Sequence, residues 1–202
     1  MKHPASWPLK HIFVMNIRLL FMLFCAALVF QNCKKSEESI FFTTEEDLIP
    51  LYFLPDSFLC TATKEVPGLG SVNWTANILA VIREGKLSLT FITYQDSVNV
   101  HARERLSFRN IPVAIGSNNI GNDTYSPFSS YSRWLSDGDV ANASWDIETE
   151  TDNTLEVNQL DTISRIVTGK FNVHFKMITQ GSFGFVHSER INFKNGSFIA
   201  KY

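Results

Sequence analysis

Ile166-Val167-Thr168-Gly169-Lys170-Phe171-Asn172-Val173-His174-Phe175-Lys176 decides the fold class. In an extended chain, successive side chains point to opposite faces. Phe171, Val173 and Phe175 therefore share one face, and Lys170, Asn172, His174 and Lys176 share the other. A strand with one dry and one wet face is what an antiparallel sheet uses. Working outward, Trp74 to Ile82 and Leu87 to Tyr94 are apolar-rich runs separated by Arg83-Glu84-Gly85-Lys86, which predicts a hairpin. Arg105-Leu106-Ser107-Phe108 and Thr154 to Leu160 alternate in the same way, and Ile191-Asn192-Phe193 with Ser197 to Ala200 closes the chain. Helical periodicity of useful length is missing; Thr44 to Leu54, with Asp47 and Pro50, has room for one turn of helix. Ser117 to Asp139 is rich in Ser, Asn, Asp and Gly and is expected to be the longest loop region. The expectation is an all-β fold, an antiparallel β-sandwich, with a β-barrel-like arrangement as the alternative.

Bulk composition agrees. Seventeen Phe, five Tyr and four Trp favour strands, and 202 residues make one ordinary domain. Lys2, Lys10 and Arg18 are the only charged groups before Cys33, so the remainder holds fifteen basic and twenty acidic residues, a net charge of −5. No Lys/Arg stripe overrides that balance, which argues against a nucleic-acid partner.

The first thirty-two residues form an N-terminal signal segment. Leu19 to Phe30 are twelve uninterrupted apolar residues, preceded by Arg18 and followed by Gln31-Asn32. That is too short to span a bilayer, which takes about 20 apolar residues, and it has the layout of a secretory signal peptide. Met15-Asn16-Ile17-Arg18 already supplies a complete charged start, so translation from Met15 is an alternative to Met1. At Cys33 a thiol follows the apolar core, and thioether formation there attaches a diacylglycerol; Cys25 is the poorer candidate because apolar residues continue after it. Residues 33–42 then read as a lipidated Cys and tether, and 43–202 as the single β domain. More than one acyl chain on Cys33 gives stable membrane anchoring.

Val29-Phe30-Gln31-Asn32-Cys33-Lys34-Lys35 resembles the relaxed lipobox of lipoproteins from Bacteroidetes-type bacteria. It departs from the usual pattern in Phe30, where Leu is preferred, and in Asn32, where a small residue is preferred. Leu155 to Asp161, Ile166 to Val173 and Ile191 to Phe198 resemble the C-terminal Gly-x-Phe strand motifs of small lipoproteins of unknown function from the same bacteria. Phe108 to Gly116 is similar to a strand of that family, with Ser117 and Asn118 in place of its Thr-Tyr. The resemblance covers residues 74–202 and implies a β-sandwich-like lipoprotein of the cell envelope, outer-membrane-anchored on its periplasmic or surface face, with no catalytic residue carried over. Glu37-Glu38 loosely resembles the charged signals that follow the lipid Cys in exported lipoproteins. Asp96-Ser97-Val98 and Asp161-Thr162-Ile163 resemble short O-glycosylation sites, which implies an exterior position for both. Gly169 and Gly196 also have a plain structural reading, as bulge or turn positions where a Cβ clashes.

Chemistry-bearing groupings are sparse. His101, His174 and His187 are outside any metal-ligand spacing and are expected to be solvent-facing strand residues. Asp137-Gly138-Asp139 lacks the ligands of a calcium loop and reads as a polar turn. Cys60, between Leu59 and Thr61, is expected to be buried and inert. No metal site, cofactor or catalytic residue is expected. Tyr125, Phe128, Tyr131 and Trp134, set among small polar residues, are the candidate ligand-binding residues, since such surfaces suit sugar rings or protein contacts. The expected function is a non-enzymatic binding module held to the membrane by its lipid, with a glycan or envelope protein as partner. A structural or assembly component of the outer membrane is the alternative. An enzyme is the third reading, and it requires Asp137, Asp139 and Asp146 to converge.

Overall fold

The computed structural model describes residues 47–54, 58–98, 101–135, 137–181 and 186–202, all within one compact unit, Phe42–Tyr202. Ten strands form it: β1 (Leu59–Val66), β2 (Gly70–Arg83), β3 (Lys86–Tyr94), β4 (Ala102–Pro112), β5 (Gly116–Asn119), β6 (Phe128–Trp134), β7 (Ala141–Ile147), β8 (Thr154–Asp161), β9 (Ile166–Gln180) and β10 (Arg190–Lys201). Among the described residues there is no α-helix, only a short 3₁₀ turn at Asp47–Leu48. Cys33 and the tether are outside the described residues.

The strands run up and down in the order β1-β2-β3-β4-β6-β7-β9-β10, and β10 returns to pair with β1, from Cys60 opposite Phe198 to Glu65 opposite Asn192. The class is all-β as expected, and of the two architectures the barrel is the one formed. Pairing both edges to each other removes the two open edges that a sandwich keeps. β5 and β8 are additional. β8 lies on β9 from Ile166 to Asn172, while β7 takes the same edge of β9 from Phe175 to Gln180; β5 pairs with β8. The predicted hairpin is present as β2 and β3, joined by Glu84 (φ 52°) and Gly85 (φ 71°). Two successive residues with positive φ match the right-handed twist of the strands they join.

The expected loop from Ser117 to Asp139 is corrected. It contains most of β5 and all of β6, and β6 has ladders on both sides, to β4 and to β7. Its Ser residues mask the strand in composition, but paired backbone groups in a closed wall outweigh propensity.

Gly169 and Gly196 both adjoin register shifts, one in the β8–β9 ladder and one in the β9–β10 ladder. A Cβ on Gly169 would come within 2.2 Å of the Glu156 carbonyl oxygen and 2.5 Å of the Phe198 ring, and one on Gly196 within 2.5 Å of the Phe171 ring. The two Phe rings thus lie flat over the cross-strand glycines and turn inward.

The lower half of the barrel, toward the β2–β3 and β8–β9 turns, is filled by apolar side chains. Phe91, Phe108 and Phe171 pack together edge-to-face or tilted, with centroids 5.2–5.7 Å apart, and Leu87, Leu89, Leu106 and Val167 lie around them. Each such buried Phe or Leu stabilises the fold by about 1.5–3 kcal/mol. The upper half is different, and an N-terminal segment closes it. β2 pairs with β1 only through Asn77 and with β3 only from Asn77 onward, so the strands diverge above that point. Residues 47–54 fill the divergence. Tyr52 bridges Tyr94 through two backbone hydrogen bonds. Leu54 N–H donates to Asn77 Oδ1 at 2.8 Å, and Asn77 Nδ2 donates back to the Leu54 carbonyl at 2.9 Å.

Candidate functional site

Inward alternation carries ionisable side chains into the upper half of the barrel. On β1 the phase of Cys60 and Ala62 continues to Lys64; on β4 that of Phe108 and Leu106 continues to Glu104; on β6 that of Tyr131 continues to Arg133. Lys64 and Glu104 are each 1% exposed, and Asp47, from the N-terminal segment, is fully buried.

Glu104 is the hub. Its Oε1 receives Lys64 Nζ at 2.5 Å and the Tyr131 hydroxyl at 2.8 Å; its Oε2 receives Trp74 Nε1 at 2.6 Å and Thr93 Oγ1 at 3.3 Å. Arg133 Nη1 is 3.8 Å from Glu104 and donates to Asp47 Oδ1 at 3.0 Å. Asp47 Oδ1 also receives His187 Nδ1 at 2.9 Å, and Oδ2 receives the Ser188 backbone N–H at 2.8 Å. Beyond it, Asn142 Nδ2 lies 2.9 Å from His187 Nε2, and Trp145 Nε1 donates to the Ser188 carbonyl at 2.9 Å. Asp47 on Nδ1 and the Asn142 amide on Nε2 hold the imidazole between two fixed partners.

Lys64 and Arg133 stand against Glu104 and Asp47, and these opposed charges set the titration of the carboxyls. Burial pushes the Glu104 carboxyl up, but Lys64 and Arg133 outweigh it and hold the group below its ordinary value. Burial likewise works against ionised Asp47, and the hydrogen bond from His187 with the charges of Lys64 and Arg133 reverses it, so its pKa is also lowered. Burial lowers Lys64, with Glu104 opposing. Burial and the neighbouring Glu104 charge push Tyr131 well up, so its hydroxyl stays a donor.

This arrangement is suited to holding charge. Glu104 has a donor on every accepting side, which removes it as a general base. His187 faces an acid as a catalytic histidine does, but its second nitrogen meets an amide rather than a hydroxyl or thiol. Cys60 is buried, its thiol pushed well up by desolvation. Among the described residues no group of three or more His, Cys, Asp or Glu is placed to hold a metal ion. The rim above the network carries a depression lined by Pro67, Leu69, His187, Ser188, Glu189 and Arg190.

The four aromatic candidates do not converge. Tyr131 points into the barrel and is 1% exposed, because β6 alternates and places Ser129, Tyr131 and Arg133 inside. Phe128 and Trp134 stand on the outer face of β6, six residues apart, a span of about 20 Å. Tyr125, 92% exposed, is in the β5–β6 loop. Nor is His187 a solvent-facing strand residue; it is buried just before β10, drawn in by Asp47 and Asn142. His174 does face outward from β9, and His101 is exposed beside β4. Asp137 and Asp139 are in the β6–β7 turn, whereas Asp146 is near the far end of β7, opposite Ser130. The acids do not meet. Ser97 and Thr162 are both exposed, each next to an Asp whose side chain accepts backbone N–H bonds in a tight turn.

Residues the sequence reading missed include Lys64, Glu104, Arg133 and Asp47. For Lys64 and Glu104 a signal existed: extending the alternating apolar runs of β1 and β4 by two residues puts a charge on the inner face. Asp47 carried none, because its burial depends on contacts with Arg133 and His187, 86 and 140 residues away.

Compared with family models, curated proteins and solved structures, the chain matches none of them.

Proposed function

We propose that the protein is a lipid-anchored barrel of the cell envelope that binds a partner through its outer surface and performs no catalysis. One observation carries the binding half of this reading: the barrel interior is occupied by its own side chains. Apolar residues fill the lower half, and a network of buried charged and polar side chains fills the upper half. Eight-stranded barrels are wide enough for side chains or for one small ligand, and here side chains take the space. A ligand is left the outer wall and the rims. The anchoring half rests on the Cys33 segment.

Intact-protein mass spectrometry of the membrane fraction tests the anchor. A chain beginning at residue 33 with added acyl mass is expected, lost together with membrane association in Cys33→Ala. A soluble, unacylated native chain overturns the anchor, and a saturable hydrolytic or transferase activity abolished by a point mutation overturns the non-catalytic reading.

A further inference from the structure

The outward positions of β3, β4 and β6 contain no Asp or Glu, in a domain whose overall charge is negative. Three arginines stand on that face from a single strand. Arg103 is committed to the protein, donating to the Trp134 carbonyl at 2.5 Å. Arg105 and Arg109 are not; among the described residues no carboxylate pairs with either. Each instead lies over an aromatic ring of the neighbouring strand. Arg105 Cζ is 4.9 Å from the Trp134 ring and Arg109 Cζ is 6.0 Å from that of Phe128. The Trp134 indole is itself fixed by Nε1 donating to Ser132 Oγ at 2.9 Å. Arg105 Nε is buried with no hydrogen-bond partner.

A guanidinium seated over a ring has fewer rotamers open to it, so less freedom remains to be lost when an anion arrives. The two forks are four residues apart on one strand, about 13 Å. Ser130 and Ser132 lie beside them on β6, with Ser132 opposite Arg105 and Phe128 opposite Arg109. Carboxylates flank the face without entering it: Asp123 and Asp137 each cap a turn, and Asp146 is one strand further on.

Resting on the outer-wall reading above, we propose that this face binds an acidic polysaccharide, its Arg105 and Arg109 forks each receiving a uronate carboxylate and its hydroxyls meeting those of the sugar rings. Two spaced charges with hydroxyls between them fit a repeating acidic polymer. An acidic peptide, which arginine clusters also take, gains no added strand here because β4 and β6 are paired on both sides, and it offers no ring hydroxyls to Ser130 and Ser132. An anionic bilayer favours many mobile cations rather than two fixed forks. A planar carboxylate matches the bidentate geometry of guanidinium.

The test is titration calorimetry of the full chain, purified in detergent, with polygalacturonate, dextran sulfate and neutral dextran at matched salt. Saturable, salt-sensitive binding of polygalacturonate is expected, with none to neutral dextran. Arg105→Gln/Arg109→Gln is expected to weaken it at least tenfold with an unchanged melting temperature. Lys170→Gln/Lys201→Gln, the same charge change on β9 and β10, is expected to leave it within twofold. Arg105→Lys, which keeps charge but loses the fork, is expected to lose most of the affinity. No binding, equal loss in both double variants, or tighter binding of dextran sulfate overturns the proposal. Acyl mass at Cys33 is read on the same preparation, so failure of the glycan is separable from failure of the anchor.

Discussion

Glu104 shows what a single inward position asks of the chain. Its carboxylate is out of water and ionised because four donors and a second cation surround it, and removing the charge strands them. Glu104→Ala is expected to cost about 3–5 kcal/mol in urea unfolding, the usual cost of breaking a buried charge pair. Lys64→Met/Glu104→Met is expected to be less damaging than the two single changes summed, which a double-mutant cycle measures. The pH dependence follows in sign. Asp47 and Glu104 have folded pKa values below their ordinary 3.8 and 4.5. Each therefore contributes stability that is complete above those values and is lost as pH falls through the folded ones. Acid unfolding below about pH 4 is expected, with a shallower slope in Glu104→Gln. Tyr131 shows the limit of reading aromatic residues by composition. Among Ser and Asn it resembled a surface ring, and only its alternation partner Arg133, contacting Asp47, reveals the interior.

At the level of elements, the hairpin of β2 and β3, the strand β8 and most of β9 and β10 were legible because apolar residues repeat every second position. β6 was not, since its outward Ser130 and Ser132 look like loop and its inward Arg133 breaks the apolar pattern. The glycines of β9 and β10 were legible as positions intolerant of a Cβ, but not the cross-strand carbonyl and rings that make them so. Gly169→Ala and Gly196→Ala are each expected to destabilise by about 1–3 kcal/mol, as overpacking does, and Gly196→Ala/Phe171→Leu is expected to recover part of the loss by melting temperature. The N-terminal segment behaves as an element although it has almost no regular structure. Tyr52 and Leu54 close the gap between β2 and β3, and Asp47 completes the charge balance. A chain starting at residue 55 is expected to unfold at lower urea and to expose the β2–β3 amides to rapid hydrogen exchange, whereas one starting at residue 42 is expected to match the full chain.

For the whole molecule, closure pairs β1 with β10, joining Cys60 to Phe198. Such distant pairing predicts slow folding, on the millisecond-to-second scale seen in all-β domains of high contact order, and stopped-flow refolding checks it. Closure is also the part of the architecture that strand patterns leave undecided, because an alternating strand serves a sandwich and a barrel equally; pairing of the first and last strands is a property of lengths, bulges and twist together. The buried position of Asp47 has a mechanical consequence. A load applied at residue 47 enters the fold through a carboxylate locked between Arg133 and His187, deep in the wall, rather than through a fraying end. Tension there is thereby borne by the ionic heart of the barrel, and pulling from residue 47 should meet a rupture force that Asp47→Ala removes, while pulling from the carboxyl end, where β10 peels from its neighbours bond by bond, should not distinguish the two.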